Sequence, residues 1–358
     1  MNISNLFYRD KPLFGLDIGH ASLKAMQIEP ARPGVKSTVL GYGISDFPAT
    51  AIQNGVIIKP EVVAGAVHEL FEKNLVGSIS SRRVACSLPT SHTFSRPMKL
   101  PPMNEHDIHE AIQLEAEQYI PIPIQSLYLD YEIISQNSQG VEILLVAAAK
   151  KIVDSYLSVL QSLQLEPVAF EPSISAVSRL LRMAGGADTE PSILIDIGSI
   201  STDISIFDRT LLVASTVNTG GDTMSELISK NLRISFDQAT ELKATLGIAF
   251  SEKQQRIVDA VKPQLETLVH EVQKSIRYHS ERASESGRKI SKVITVGGGA
   301  EMPGLNQYLS RELRLPTQNL DPWQSITFGK LPMPPESERT VYITATGEAV
   351  LNPAEIAV

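Results

Sequence analysis

The stretch "LFGLDIGHASLKAMQI" from Leu13 and the stretch "SILIDIGSISTDISIF" from Ser192 are near copies, set about half the chain apart. Each is an apolar run, then Asp-Ile-Gly, a short polar turn holding a serine, and a second apolar run. They align without a gap. Asp17, Gly19 and Ser22 fall on Asp196, Gly198 and Ser201, and the next polar position is Lys24 in the first copy but Asp203 in the second. Strand, glycine turn and returning strand predict a β-hairpin in each place. A repeat of this kind in a chain of 358 residues, too long for one comfortable core, predicts two or more α/β lobes.

Two such hairpins suit one chemistry. Glycine in the turn permits close approach of the backbone, whose N–H groups, with a nearby hydroxyl, hold phosphate oxygens. An aspartate leaving a buried strand beside the turn is placed to hold Mg²⁺ through water, because that hard cation prefers carboxylate, phosphate and water. Asp17, Asp196 and Asp203 are the candidates. Facing copies would clamp a polyphosphate from both sides. A single copy reads better as a plain strand and turn; the matched pair is what favours a site.

A third glycine element follows a third apolar strand, in "KVITVGGGAEMPGL" from Lys292, where Gly297, Gly298 and Gly299 precede a helix spaced at Leu305, Leu309 and Leu313. Consecutive glycines there let a planar ring or a phosphate lie against the main chain. The run is neither a G-x-G-x-x-G fingerprint nor a Walker A loop. "NTGGDTMSELI" adds Gly220 and Gly221 at the start of another predicted helix, and "DQATELKATLG" places Glu241 and Lys243 near the end of the next. Lys243 reads either as a ligand contact or as a solvated surface charge.

Composition excludes several classes. The formal net charge is -8 and no Lys/Arg tract stands out, which argues against gripping a nucleic-acid backbone. The one cysteine, Cys86, closes no internal disulfide, and it reads as a small buried hydrophobe suited to a reducing compartment. None of the seven histidines forms an H-x-x-x-H or H-x-x-E pair. No run reaches the roughly 18 apolar residues of a membrane helix, and "MNISNLFYRDKPLFG" lacks the pattern of a leader. A cytoplasmic protein is expected, touching a membrane only through a partner. The segment from Ser251, with Leu265, Leu268, Val269, Val272 and Ile276, predicts a core-facing amphipathic helix.

Taken together these motifs resemble the actin-like ATPase superfamily of actin, Hsp70 chaperones, sugar kinases, FtsA and PilM. The resemblance implies an α/β, ribonuclease H-like, duplicated two-lobe ATPase fold that closes over ATP. "DIGHAS" resembles its first phosphate hairpin, "DIGSISTD" its second, and "VGGGAEMPGL" its adenosine motif. On the connecting element "FEPSISAVSRLL", Glu171 falls where the superfamily has a glutamate near the attacking water. The implied nucleotide-binding set is Asp17, Gly19, Ser22, Lys24, Gly198, Ser201, Asp203, Gly220, Gly221, Glu241, Lys243 and Gly297 to Gly299. Asp17, Asp196 and Asp203 would surround Mg²⁺, and Glu171 and Asp196 would serve any hydrolysis, which is expected to be slow or absent.

A narrower resemblance rests on the middle of the chain. Helical spacing at Ile108, Ile112 and Ala116 gives way at Pro121 and Pro123, then "LYLDYEI", "ILLVAAA" and a further helix follow, a β-α-β-β-α unit. Its "YIPIP…LDYEII", together with "DIGHASLKAMQI" and its Lys24, resembles the PilM family of type IV pilus assembly proteins, in which a small α+β subdomain is inserted in the first lobe. The implied boundaries are a first lobe over 1-83, the inserted subdomain over 84-168, a connecting helix over 169-188, the second lobe over 189-338 and a helix returning to the first lobe over 339-358. The implied function is ATP and Mg²⁺ binding, capture of the N-terminal cytoplasmic peptide of PilN, and self-association into a cytoplasmic ring. Ser87, Leu88, Pro89, Tyr119, Ile120 and Ile122 are candidate walls of the peptide groove; the last three serve equally well as core. An FtsA-like scaffold is disfavoured because "GEAVLNPAEIAV" carries no Lys or Arg for a membrane-lying helix. A small-molecule kinase would need a further polar acceptor pocket between the lobes.

Overall fold

The computed structural model describes residues 12–31, 36–185, 190–208, 210–249, 254–282 and 288–352. The expectations about a leader at residues 1–11 and about the tail at residues 353–358 lie outside them. Among the described residues, two mixed sheets carry the two repeat phrases. In the first, Ser37–Asp46, Ser22–Glu29 and Phe14–Ile18 form an antiparallel meander, and Arg83–Leu88 and Glu166–Pro172 continue it in parallel. In the second, Thr210–Val217, Thr202–Asp208 and Ser192–Ile197 form the meander, and Lys292–Val296 and Thr317–Asn319 continue it in parallel. The same order and the same strand directions recur, so the duplication extends well beyond the hairpins.

Parallel neighbours require crossovers, and helices supply them. Pro60–Lys73 and Lys150–Ser162 cover the first sheet, and Gly221–Leu232, Gln255–Arg282 and Leu305–Leu313 belong to the second lobe. The long helix buries Leu265, Leu268, Val269 and Val272 against the second sheet's Ile193, Ile195 and Ile204, so the amphipathic reading from Ser251 holds. Between the lobes a separate core joins Met26, Ile174, Val177, Leu194, Phe207 and Ile343. It is built on two helices, Ser173–Gly185 and Ile343–Ala349, that pack closely because their contacts are small. A Cβ on Gly347 would collide with the Ala176 carbonyl, and one on Gly15 with the Ala345 carbonyl.

The inserted unit is narrower than 84-168. Arg83–Leu88 pairs in register with Phe14–Leu16, and Lys150–Ser162 packs on Pro60–Lys73, so both ends of the expected span belong to the first lobe. What projects is a three-stranded sheet, ordered Thr93–Leu100, Gly140–Ala149, Leu127–Asn137, with the helix Glu105–Tyr119. Asn104 caps that helix by accepting the Asp107 N–H at 3.0 Å. The return to the first lobe also comes earlier than residue 339. Ile326 pairs with Ser37, and Phe328 and Tyr342 pack edge-on against Tyr42 at 5.5 and 5.3 Å between ring centroids. The Pro-rich "PMPPE" near Met333 predicts a loop crossing back to the first lobe, and the structure makes the crossing a few residues earlier, where isolated apolar residues such as Phe328 carry no periodic signal.

Candidate functional site

The two hairpin turns are built alike. In the first, the Gly19 N–H donates to the Ser22 carbonyl at 2.9 Å; in the second, the Gly198 N–H donates to the Ser201 carbonyl at 2.9 Å. A Cβ at either glycine would lie 3.1 Å from the serine carbonyl oxygen it faces, tighter than side chains ordinarily tolerate. Register then sets the chemistry behind each turn. Asp17 stands directly opposite Lys24, whereas Asp196 stands directly opposite Asp203. The first hairpin thus carries a balanced pair and the second a pair of carboxylates.

Both hairpins line one cleft of about 620 Å³. Asp17, Gly19, Ser22, Lys24, Asp196, Gly198, Ser201, Asp203, Gly221, Lys243 and Gly297 to Gly299 all reach it. Lys24, nearly buried, donates to Ser22 Oγ at 2.8 Å. Gly297 lies at φ 82°, and a Cβ there would strike Asp196 Oδ1, so glycine is the residue that admits the carboxylate. Asp203 accepts a short hydrogen bond from the Thr216 hydroxyl. Lys243 turns in to donate to the Gly221 carbonyl at 2.6 Å, and burial lowers its pKa against the opposing pull of Asp222.

Electrostatics single out the second hairpin. Asp196 is pushed up to about 7, first by burial, then by Asp203 and Asp17, with Lys24 opposing. Burial pushes Asp203 up to about 6, with the Thr216 hydrogen bond opposing. A carboxylate pair that resists ionising is the environment a divalent cation relieves. Among the described residues no group of three or more acidic, histidine or cysteine side chains converges as direct ligands; Asp17, Asp196 and Asp203, all lining the cleft, are the carboxylates a divalent cation there would meet.

Several expected residues stand elsewhere. Glu241 lies on the exposed side of Phe236–Thr245, because residues two apart on a helix point to different faces and Lys243 takes the inner one. Gly220 packs beneath the second turn, where a Cβ would meet the Ser199 carbonyl, and does not line the cleft. Glu171 does not line it either. Both its oxygens are taken by Arg179, each at 2.7 Å, and Arg179 also donates to the Gly347 carbonyl at 2.8 Å. Beside this pair Glu348 is wholly buried; burial first and Glu171 second hold its carboxyl well above the usual range, with Arg179 opposing.

The six proposed groove residues divide. Ser87, Leu88 and Pro89 line the central cleft, and Ser87 donates to Asp17 Oδ1 at 2.7 Å. Ile120 is buried in the core that the inserted unit shares with the first lobe. Tyr119 and Ile122 are exposed, with the Arg96 guanidinium 3.8 Å from the Tyr119 ring centroid. Cleft residues that sequence reasoning passed over include Asn54, His92, Tyr156 and Thr216. The Asn54-Gly55 dipeptide, a strong hairpin signal between short apolar pairs, marked the first of them. Tyr156, whose hydroxyl has no hydrogen-bond partner among the described residues, gave no signal within its helix.

The family model described as Type IV pilus assembly protein PilM matches residues 15–352. The chain belongs to this family. A solved structure titled as a PilM-PilN type IV pilus biogenesis complex is 23% identical, covers 95% of this chain and 98% of that chain, and superposes with a TM-score of 0.81. The ethanolamine utilization protein EutJ from Carboxydothermus hydrogenoformans is 16% identical over 94% of this chain and 88% of that one, with a TM-score of 0.56. MreB5 of Spiroplasma citri, solved with AMPPNP, is 13% identical over 94% and 95%, with a TM-score of 0.53. At these identities the likeness concerns the fold, and the fold is the actin-like, two-lobed one expected for a PilM family member. No described helix is long and apolar enough to cross a membrane.

Proposed function

We propose that this PilM family member is an ATP- and Mg²⁺-binding assembly protein that works in the cytoplasm, beside the inner membrane, and holds the N-terminal cytoplasmic peptide of PilN. The observation that carries the nucleotide reading is the pair of like-built hairpins facing one cleft, with the Asp196–Asp203 pair in need of a cation. When bound, Mg²⁺ would supply charge neutralisation for the phosphates and for that pair. The turn N–H groups, Ser22, Ser201 and Lys24 would bind phosphate, and Gly297 to Gly299 would receive the nucleoside.

Slow or absent hydrolysis follows from Glu171. It stands outside the cleft, where Arg179 holds both its oxygens, and so is not placed beside the position of an attacking water. Nucleotide then acts chiefly as a ligand that stabilises the folded chain. For the peptide, family membership and the PilN-bound relative support the reading, and Tyr119 and Ile122 are the exposed residues of the expected groove. Self-association into a ring belongs to the same proposal.

The deciding experiment is a calorimetric titration of the whole protein with the PilN N-terminal peptide, with and without MgATP, alongside a titration with MgATP alone. One-to-one peptide binding supports the assembly role. A folded protein that binds neither ligand would sink the proposal.

A further inference from the structure

The strand Thr210–Val217 has neighbours of two kinds. Within the second sheet it is the edge strand, and Thr216 stands directly opposite Asp203 with its hydroxyl donated to Asp203 Oδ1. It also packs against the first lobe, on the strand Thr93–Leu100 and on the turn Thr90–His92 from which the inserted unit springs. Asp203 stands in turn directly opposite Asp196, so Asp196, Asp203 and Thr216 form one row across three strands, and all three line the cleft. The turn Thr90–His92 lines the same cleft from the other lobe. Its Thr90 hydroxyl is paired with Ser173 Oγ at 2.9 Å and receives the Ile174 N–H at 3.1 Å, at the start of the connecting helix.

Beside the backbone ladder that pairs the two strands, one side-chain hydrogen bond therefore ties an acidic group of the cleft directly to the strand that touches the inserted unit. Thr216 is exposed to the cleft, so its hydroxyl is not needed to satisfy or fill the interior. Among the described residues its hydroxyl donates to a carboxylate, and charged acceptors make the stronger bonds. The seam between Thr210–Val217 and Thr93–Leu100 is a contact between lobes, distinct from the two helices that join them, and a change in lobe position would alter it. A ligand shifts such an arrangement only if it interacts differently with its two states, and a cation brought to Asp203 does so by fixing the carboxylate that Thr216 grips.

We propose that Thr216 is a positioning residue through which occupancy at the phosphate end of the cleft is transmitted to the inserted unit. The inference rests on the nucleotide reading, because it takes a magnesium nucleotide as the ligand that reaches Asp203. It does not depend on the identity of the protein partner. Loss of the hydroxyl leaves the strand in place but uncouples its seam with Thr93–Leu100 from the charge beside Asp203.

Amide hydrogen exchange on the full chain tests this, with MgATP affinity measured by calorimetry on the same samples. The wild type, Thr216→Val and Thr216→Ser are compared at matched nucleotide occupancy. In the wild type MgATP is expected to slow exchange across Thr93–Leu100 on the order of 5- to 100-fold, the range of ordinary site-to-site coupling. Thr216→Val is expected to bind MgATP and lose that slowing, and Thr216→Ser to regain it. Equal slowing in wild type and Thr216→Val, or none in the nucleotide-bound wild type, overturns the coupling while leaving the nucleotide reading intact. Absence of MgATP binding to the folded wild type removes both.

Discussion

Asp17 and Asp196 hold the same place in the same turn, but Lys24 faces the first and Asp203 faces the second. That single difference divides the labour between the hairpins: one balanced, the other short of positive charge. Asp196→Asn is expected to abolish MgATP binding in calorimetry while raising the thermal midpoint of the ligand-free protein, since it removes a carboxylate that folding must bury beside two others. The pH dependence has a definite sign. Asp196 and Asp203 sit at about 7 and about 6 in the folded chain, above the ordinary 3.8, so between 3.8 and those values the folded form holds more protons than the unfolded one. Ligand-free stability from these groups is therefore fully present below 3.8 and declines as pH rises from there, until it is lost above about 6 to about 7. Cation binding requires the ionised forms, so MgATP affinity should move the opposite way, weakening by up to about tenfold per pH unit for each proton displaced as pH falls through the same window. Calorimetry across pH in two buffers of different ionisation enthalpy measures it. Much of this was legible in the gapless alignment of the two phrases, because register in a hairpin follows from its turn. Glu171 was not legible, because its partner lies eight residues on and meets it only once the connecting helix has packed.

The helices Ser173–Gly185 and Ile343–Ala349 depend on Arg179 as much as on their small contacts. This side chain ties Glu171, its own helix and the Gly347 carbonyl together at the junction of the lobes. Arg179→Ala leaves the Glu171 carboxylate without its partner, and taking a charged hydrogen-bond partner from this half-buried pair costs about 1–3 kcal/mol. Chemical denaturation should register a loss of that order, and Arg179→Lys, which cannot grip both oxygens at once, should recover only part of it. Sequence reading fared well for elements with a period, such as Gln255–Arg282, and for strand, helix and strand in the inserted unit. It failed at their borders. The apolar run of Arg83–Leu88 is the same whether its strand pairs within an insertion or beside Phe14–Leu16, and only the long-range pairing decides. The split of Glu241 from Lys243 is a related case: both fall on a correctly expected helix, and the face each occupies depends on what that helix packs against.

At the scale of the whole molecule, the proposed partner surface and the cleft are separate places joined by Thr90–Leu100. Ile122→Ser, at an exposed position, is expected to weaken PilN peptide binding by about 1 kcal/mol or more while leaving the thermal midpoint and MgATP affinity in place. Equal peptide affinity would move the groove away from this face. The two-lobed form was announced by the repeated phrase and a crossing back by the Pro-rich loop near Met333, whereas its place at Ile326 had to be seen, since a two-residue strand and scattered aromatics leave no pattern. That crossing also brings the two ends of the described structure together. Leu13 and Leu351 meet in one small apolar cluster with Ala85, so the chain enters and leaves the described structure through the first lobe, and the second hangs from it as a closed excursion. Labels placed beside those two residues would stay close together whatever the second lobe does, and so would serve as a fixed reference for any distance measured across the cleft.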